Sequence, residues 1–209
     1  ARYPSDGSTP DIPPITLRST ITVAGGINPA YYYFLAIDTD NDDGDGPVPV
    51  VSGPEQGTGW GTISGLGPND PVAVPPFFVV YNGGSFQQYR DNQPIGRPYR
   101  AELSADRRSL TVEIDARELV PAGTTLPARL QLNWITMKDL TIPPQDIGRP
   151  KEYDGFGPTG TDYLYAVPLN QNWSRASGDL YGTPQEQRND TTATADIDLI
   201  GWSAEIRLR

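Results

Sequence analysis

The chain has no cysteine and no histidine, and among its 16 basic residues only Lys138 and Lys151 are lysines. Without Cys and His there is no thiolate nucleophile, no imidazole base for a serine triad and no usual ligand for zinc, copper or haem. A Ser–Lys pair would have to use Lys138 or Lys151, and neither sits in a recognisable motif. Positive charge is scarce as well: 16 Lys+Arg against 26 Asp+Glu give a formal charge of −10 and a pI near 4.4. Displacing counterions from phosphates needs a basic surface, so nucleic acid is not expected as a partner. Anionic membranes repel such a chain, and no apolar run approaches the ~20 residues that cross a bilayer, so membrane insertion is not expected either.

What is abundant is punctuation. Twenty-two glycines and 22 prolines fall between short runs rich in Val, Ile, Thr, Tyr and Phe, as turns fall between strands. Hydrophobic residues make up 36% of the chain, and no helical pattern longer than 10 residues and no internal repeat is present. The expected fold is all-β: a single, jelly-roll-like β-sandwich of two antiparallel sheets. Residues 1–14, with four prolines and no periodicity, are expected to form an extended N-terminal arm, and residues 15–209 the sandwich domain.

The cleanest alternation lies at 15–23. Ile15, Leu17, Ser19, Ile21 and Val23 face one way, and Thr16, Arg18, Thr20 and Thr22 the other. Residues 30–38 are apolar on both faces and predict a central strand covered on both sides. The runs 76–81 and 85–90 flank Asn82-Gly83-Gly84, a hairpin signal. Further strands are expected at 47–51, around 60–63, and at 99–103, 109–115, 128–138, 162–169 and 193–208, the last with a bend near Gly201. One helical turn is expected at 116–120, and loops at 141–161 and 170–192.

Tyr-Tyr-Phe-Leu-Ala-Ile-Asp-Thr-Asp with its Gly/Asp loop (31–46), Ser-Leu-Thr-Val-Glu-Ile-Asp with Glu118-Leu119 (109–119), and Leu-Asn-Trp-Ile-Thr (132–136) together resemble DOMON-like β-sandwiches, which include family 9 carbohydrate-binding modules. The resemblance implies an extracellular sandwich that binds a sugar or haem. Haem versions use His or Met axial ligands; with no His and only Met137, haem is not expected. Sugar versions stack a ring on tryptophan, which makes Trp60, Trp134, Trp173 and Trp202 candidate ligand aromatics.

The Asp38–Gly46 loop, DTDNDDGDG, sets Asp38, Asp40 and Asp42 at the spacing of the first three oxygen ligands of a calcium loop, with Asp45 near. No Gly follows Asp42 directly, and Pro49 stands at the position of the bidentate Glu. The alternative is an acidic hairpin tip. Glu102, Glu113, Asp115 and Glu118 are of the right type for glycoside hydrolysis, but nothing in their spacing pairs them. Asn172-Trp173-Ser174 and Asn189-Asp190-Thr191 are glycosylation sequons. Tyr31, Tyr32, Tyr33 and Phe34 are expected in the core.

The start, Ala1-Arg2-Tyr3 without Met, is that of a chain freed from a signal peptide, so a secreted or cell-surface location is expected. Two functions compete. In one, the protein is a non-enzymatic structural subunit of an extracellular filament or surface assembly, a homo-oligomer or polymer. Its joints would be the arm and strand 15–23, with Ile15, Leu17, Ile21 and Val23 inserted against a neighbour's sheet. In the other, strand 15–23 belongs to its own sandwich and the protein is a DOMON-like module binding polysaccharide.

Overall fold

The computed structural model describes residues 12–40, 46–49, 60–61, 77–91, 93–140, 151–158, 160, 162–179 and 194–209. The alternating run at the start becomes β1 (Ile15–Val23) and the doubly apolar one β2 (Tyr32–Asp38). Two short strands, β3 (Val48–Pro49) and β4 (Trp60–Gly61), pair with each other. The Asn-Gly-Gly signal produces the hairpin β5 (Phe77–Asn82) and β6 (Ser85–Arg90). Here the left-handed positions are Gly83 and Gly84, at φ 60° and 79°, while Asn82 stays in the strand and donates its Nδ2 to the Tyr31 carbonyl.

The chain continues through β7 (Gln93–Gly96), β8 (Arg100–Leu103) and β9 (Ser109–Asp115) into a 3₁₀ turn at Ala116–Leu119, whose first free N–H is capped by Asp115. It ends with β10 (Arg129–Met137), β11 (Tyr153–Asp154), β12 (Leu164–Pro168), β13 (Trp173–Ala176) and β14 (Leu199–Leu208). Sequence patterning misses β7, β11 and β13. All three are short, polar or proline-containing, and owe their strand geometry to a longer neighbour.

Every pairing is antiparallel. One sheet runs β13-β14-β1-β9-β8; the other runs β11-β10-β2-β5-β6-β7, with β12 beside the opposite end of β10 from β11. They pack face to face over one core. Leu17, Ile21, Leu110, Val112, Ile114 and Ile206 come from the first sheet; Leu35, Ile37, Phe77, Val79, Leu132 and Trp134 from the second. The protein is an all-β sandwich, as the composition predicts. A polar contact crosses the core: the Trp134 indole N–H donates to Ser19 Oγ at 2.8 Å, and that hydroxyl donates to the Ser203 carbonyl at 3.0 Å. This explains a serine on the inward face of β1.

The expectation that strand 15–23 is given to a neighbouring subunit is corrected. β1 lies third of five, paired along one edge with β14 and along the other with β9. Leu17, Ile21 and Val23 have no exposed surface, and Ile15 packs at the core's margin. Both hydrogen-bonding edges and the apolar face of β1 are used within the chain. Residues 1–11 of the arm lie outside the described residues.

These placements predict that Leu17→Ala lowers unfolding free energy by about 2–5 kcal/mol, the usual cost of such a core truncation. Thr20→Ala, which removes only the part-buried Thr20–Thr111 hydroxyl contact, should cost about 0.5–1.5 kcal/mol. Urea denaturation of the two variants checks this; equal losses would contradict a central β1.

Candidate functional site

Of the four candidate tryptophans, two are core. Trp134 is 1% exposed and bonded to Ser19; Trp202 is 4% exposed and stacked on Phe156 with centroids 4.8 Å apart. Neither indole offers a face to a ligand, because each sits inward on its strand. The Trp60 side chain lies outside the described residues. Trp173, on the edge strand β13, is half-buried and packs against the core margin, with the Arg175 guanidinium 5.7 Å from its ring centroid.

Around Trp173 lies an open groove of about 780 Å³, lined by Gln171, Asn172, Arg175, Glu205, Arg207 and Arg209 among others. Two elements build it. β13 runs along β14 with Trp173 opposite Ile206 and Ser174 opposite Glu205. The Asn172 side-chain Oδ1 accepts the Leu208 N–H at 2.7 Å, fixing the residue before β13 to the end of β14. At the same end the Arg209 N–H donates to the Pro14 carbonyl at 3.0 Å, tying the end of β14 to the start of β1.

The charges in it are ordered. Arg207 meets Glu205 in a forked pair, Nε to Oε1 and Nη2 to Oε2, both 2.7 Å, and this contact holds the guanidinium above its already high pKa. Arg175 Nη1 donates to the Ser174 carbonyl at 2.9 Å. Trp173 and Arg175 stand opposite the inward Ile206 and Ala204, while Ser174, Glu205 and Arg207 share the outward side, so an aromatic ring, two amides, three guanidiniums and one carboxylate line the two sides of this sheet edge. That set can hydrogen-bond a polyhydroxylated ligand and pack on a ring face.

Comparison with family models, with curated proteins and with solved structures finds no match.

Of the other candidate residues, Glu102, Glu113 and Asp115 stand on the outward face of the neighbouring strands β8 and β9, and Glu118 on the 3₁₀ turn that follows. Asp115 is held by Arg117 at 2.7 Å. Glu113 is nearly buried, standing in register between Arg18 and Arg100. Glu118 accepts from Gln88 at 2.7 Å on the opposite sheet. Asp38 ends β2 in a buried position, its Oδ1 accepting the Asp40 N–H at 3.1 Å. Asp42 and Asp45 lie outside the described residues, and among the described residues no three acidic side chains converge on a point suited to a metal. Of the tyrosine run, Tyr33 is wholly buried; its hydroxyl donates to the Asp196 carbonyl and accepts the Asn28 N–H, and burial pushes the phenol far above its ordinary pKa. Of the sequons, Asn189 lies outside the described residues and Asn172 already caps β14.

Sequence reasoning passes over Asn133. Alternation makes it an outward polar residue of β10, yet it is fully buried: Nδ2 donates to the Pro47 carbonyl at 2.7 Å and Oδ1 accepts the Phe156 N–H at 3.1 Å. One amide therefore binds two connecting segments onto the outer face of the larger sheet. Asn133→Ala should cost about 2–5 kcal/mol, because a buried carbonyl and a buried N–H each lose their partner. Gln171→Ala in the exposed groove should change stability by less than about 0.5 kcal/mol. Thermal melts of the pair check this.

Proposed function

We propose that this protein is a non-enzymatic, extracellular carbohydrate-binding β-sandwich that holds its ligand in the β13–β14 groove. The observation that carries the reading is the groove's composition: a half-buried Trp173 surrounded by amides, guanidiniums and a carboxylate. Sugar rings have apolar C–H faces and polar hydroxyl rims, and a site for them needs an aromatic surface bordered by donors and acceptors. The likeness of residues 31–46 and 109–119 to DOMON-like sandwiches points the same way. So does the engagement of the candidate carboxylates elsewhere: Asp115 is held by Arg117 and Glu118 by Gln88, and Glu113 is buried in register between Arg18 and Arg100.

The competing reading, a filament subunit, keeps only residues 1–11 as its joint once β1 is accounted for within the chain. Calcium belongs to our proposal as a structural ion of the Asp38–Gly46 loop, with Asp38 and Asp40 supplying oxygens beside Asp42 and Asp45. Its support is the inward placement of Asp38 and the turn that brings Asp40 back to it.

Trp173→Ala should fold normally and bind oligosaccharide about 10- to 100-fold more weakly, the equivalent of losing roughly 1.5–3 kcal/mol of apolar contact. Affinity electrophoresis in polysaccharide-containing gels reads this directly, and unchanged retardation would rule out the groove. Full-length protein running as a monomer, unaltered by removal of residues 1–11, would dispose of the filament reading. EDTA should lower the melting temperature, since an ion bound only to the folded state stabilises it by mass action. A melt indifferent to EDTA and to added Ca²⁺ leaves the loop as an acidic tip.

A further inference from the structure

The groove is more positive than the protein that bears it. Arg175, Arg207 and Arg209 against Glu205 give 3 − 1 = +2 along one sheet edge, on a chain whose formal charge is −10. The guanidiniums are satisfied in different ways, and Arg175 and Arg209 share with Arg18, Arg97, Arg100 and Arg107 the lack of a carboxylate hydrogen bond among the described residues. Arg207 is matched to Glu205 and Arg117 to Asp115, while Arg90 and Arg108 are bound to backbone carbonyls. Arg175 and Arg209 have no carboxylate partner among the described residues: Arg175 rests on the Trp173 ring and one carbonyl, and Arg209 is tied only through its backbone N–H. Two exposed, unmatched guanidiniums thus flank an indole on a strongly acidic protein.

Resting on the carbohydrate-binding reading, we propose that the groove selects anionic sugars, uronate-containing oligosaccharides whose carboxylates are received by Arg175 and Arg209 while a ring packs along Trp173. A guanidinium is a planar fork that matches a carboxylate through two parallel N–H···O bonds, which a neutral hydroxymethyl group cannot supply. The negative remainder of the molecule would repel a polyanion arriving elsewhere, so charge favours this one approach at low salt and loses that preference as salt screens it. The Glu205–Arg207 pair supplies acceptors and donors for ring hydroxyls at the groove floor and keeps its own charge balanced.

The test is isothermal titration of the whole chain with short oligomers of galacturonate, glucuronate and mannuronate. Their methyl esters, which keep the rings and remove the charge, and neutral gluco- and xylo-oligosaccharides serve as comparators. At least one acidic series should bind more tightly than its ester, with affinity falling as salt rises from about 0.05 to about 0.5 M. Arg175→Ala/Arg209→Ala should weaken acid binding about 10- to 100-fold, the loss of hydrogen bonds to charged groups, and ester and neutral-sugar binding by a clearly smaller factor, so that the preference for the acid over its ester is lost. If acids and esters bind alike, or the double variant holds the acid as well as the parent, the selection for anionic sugars is overturned, while Trp173-dependent binding of either leaves the carbohydrate-binding reading in place. If no oligosaccharide, acidic, esterified or neutral, binds at all, both fall.

Discussion

All nine residues of β1 pair with β14, so that Ile15 stands opposite Leu208 and Val23 opposite Leu199. This ladder joins the first described strand to the last, and the smaller sheet has no continuous path without it: β13 hangs on β14, and β9 with β8 on β1. The contact also closes a loop of almost the whole chain, so little local structure rewards it until both ends have found each other. Once formed, it fixes the position of everything at that end of the sandwich. Pro14, Arg209 and Asn172 are held together there only because β1 and β14 are in register. The groove is a by-product of that closure.

The two sheets treat their outer faces differently. On the smaller sheet the outward side of β1 is Thr16, Arg18, Thr20 and Thr22, and a row of alternating charge crosses it: Arg100 opposite Glu113, Glu113 opposite Arg18, Arg18 opposite Glu205. Opposite charges on facing residues each contribute about 0.2–1 kcal/mol, on a face where Thr16 and Glu113 are buried and Arg18, Thr20 and Thr22 are half-buried. On the larger sheet the outward side carries Phe34, Ala36, Phe78, Ile135 and Met137, all buried, with Phe78 stacked on Tyr89 at 4.7 Å. A face of that kind must be covered, and Asn133 shows part of the means: its buried amide anchors the backbone at Pro47 and Phe156. The core of this protein is therefore two-layered around β2 and β10, whose residues are buried on both sides.

That asymmetry decides how much could be read from sequence. β1 and β9 alternate cleanly because one of their faces meets water, and their boundaries follow from the pattern alone. β2 is legible for the opposite reason: its unbroken apolar run has no polar side to spare. β10 shows where the method stops. Gln131 and Asn133 interrupt its apolar residues at the period of a half-exposed strand, yet both are buried, and the Asn133 amide binds segments far away in sequence. No local pattern distinguishes an amide facing water from one holding a distant carbonyl. The same limit produced the error over β1, since alternation records that a strand has one buried face but not whose core buries it. The tryptophans divide by the same rule: Trp134 and Trp202 sit at inward positions of long strands, and Trp173 on a strand too short to show a period.

The edges of the sheets bear on what the sandwich can do with its surface. β7 is four residues long and contains Pro94; β8 is four residues long with Arg100 and Glu102 exposed; β13 is four residues long with Arg175 exposed. Short strands, proline and charge are the devices by which sheets avoid pairing with further strands. Of these edges only β13 also presents an aromatic ring, and it does so beside a concavity. A strand edge recruits another backbone through regularly spaced N–H and C=O groups; β13 instead directs the Arg175 guanidinium onto its own Ser174 carbonyl and over its own Trp173. Arg175 thereby occupies one acceptor of the strand's own backbone. Side-chain chemistry, and not backbone pairing, is what this edge has to offer a partner.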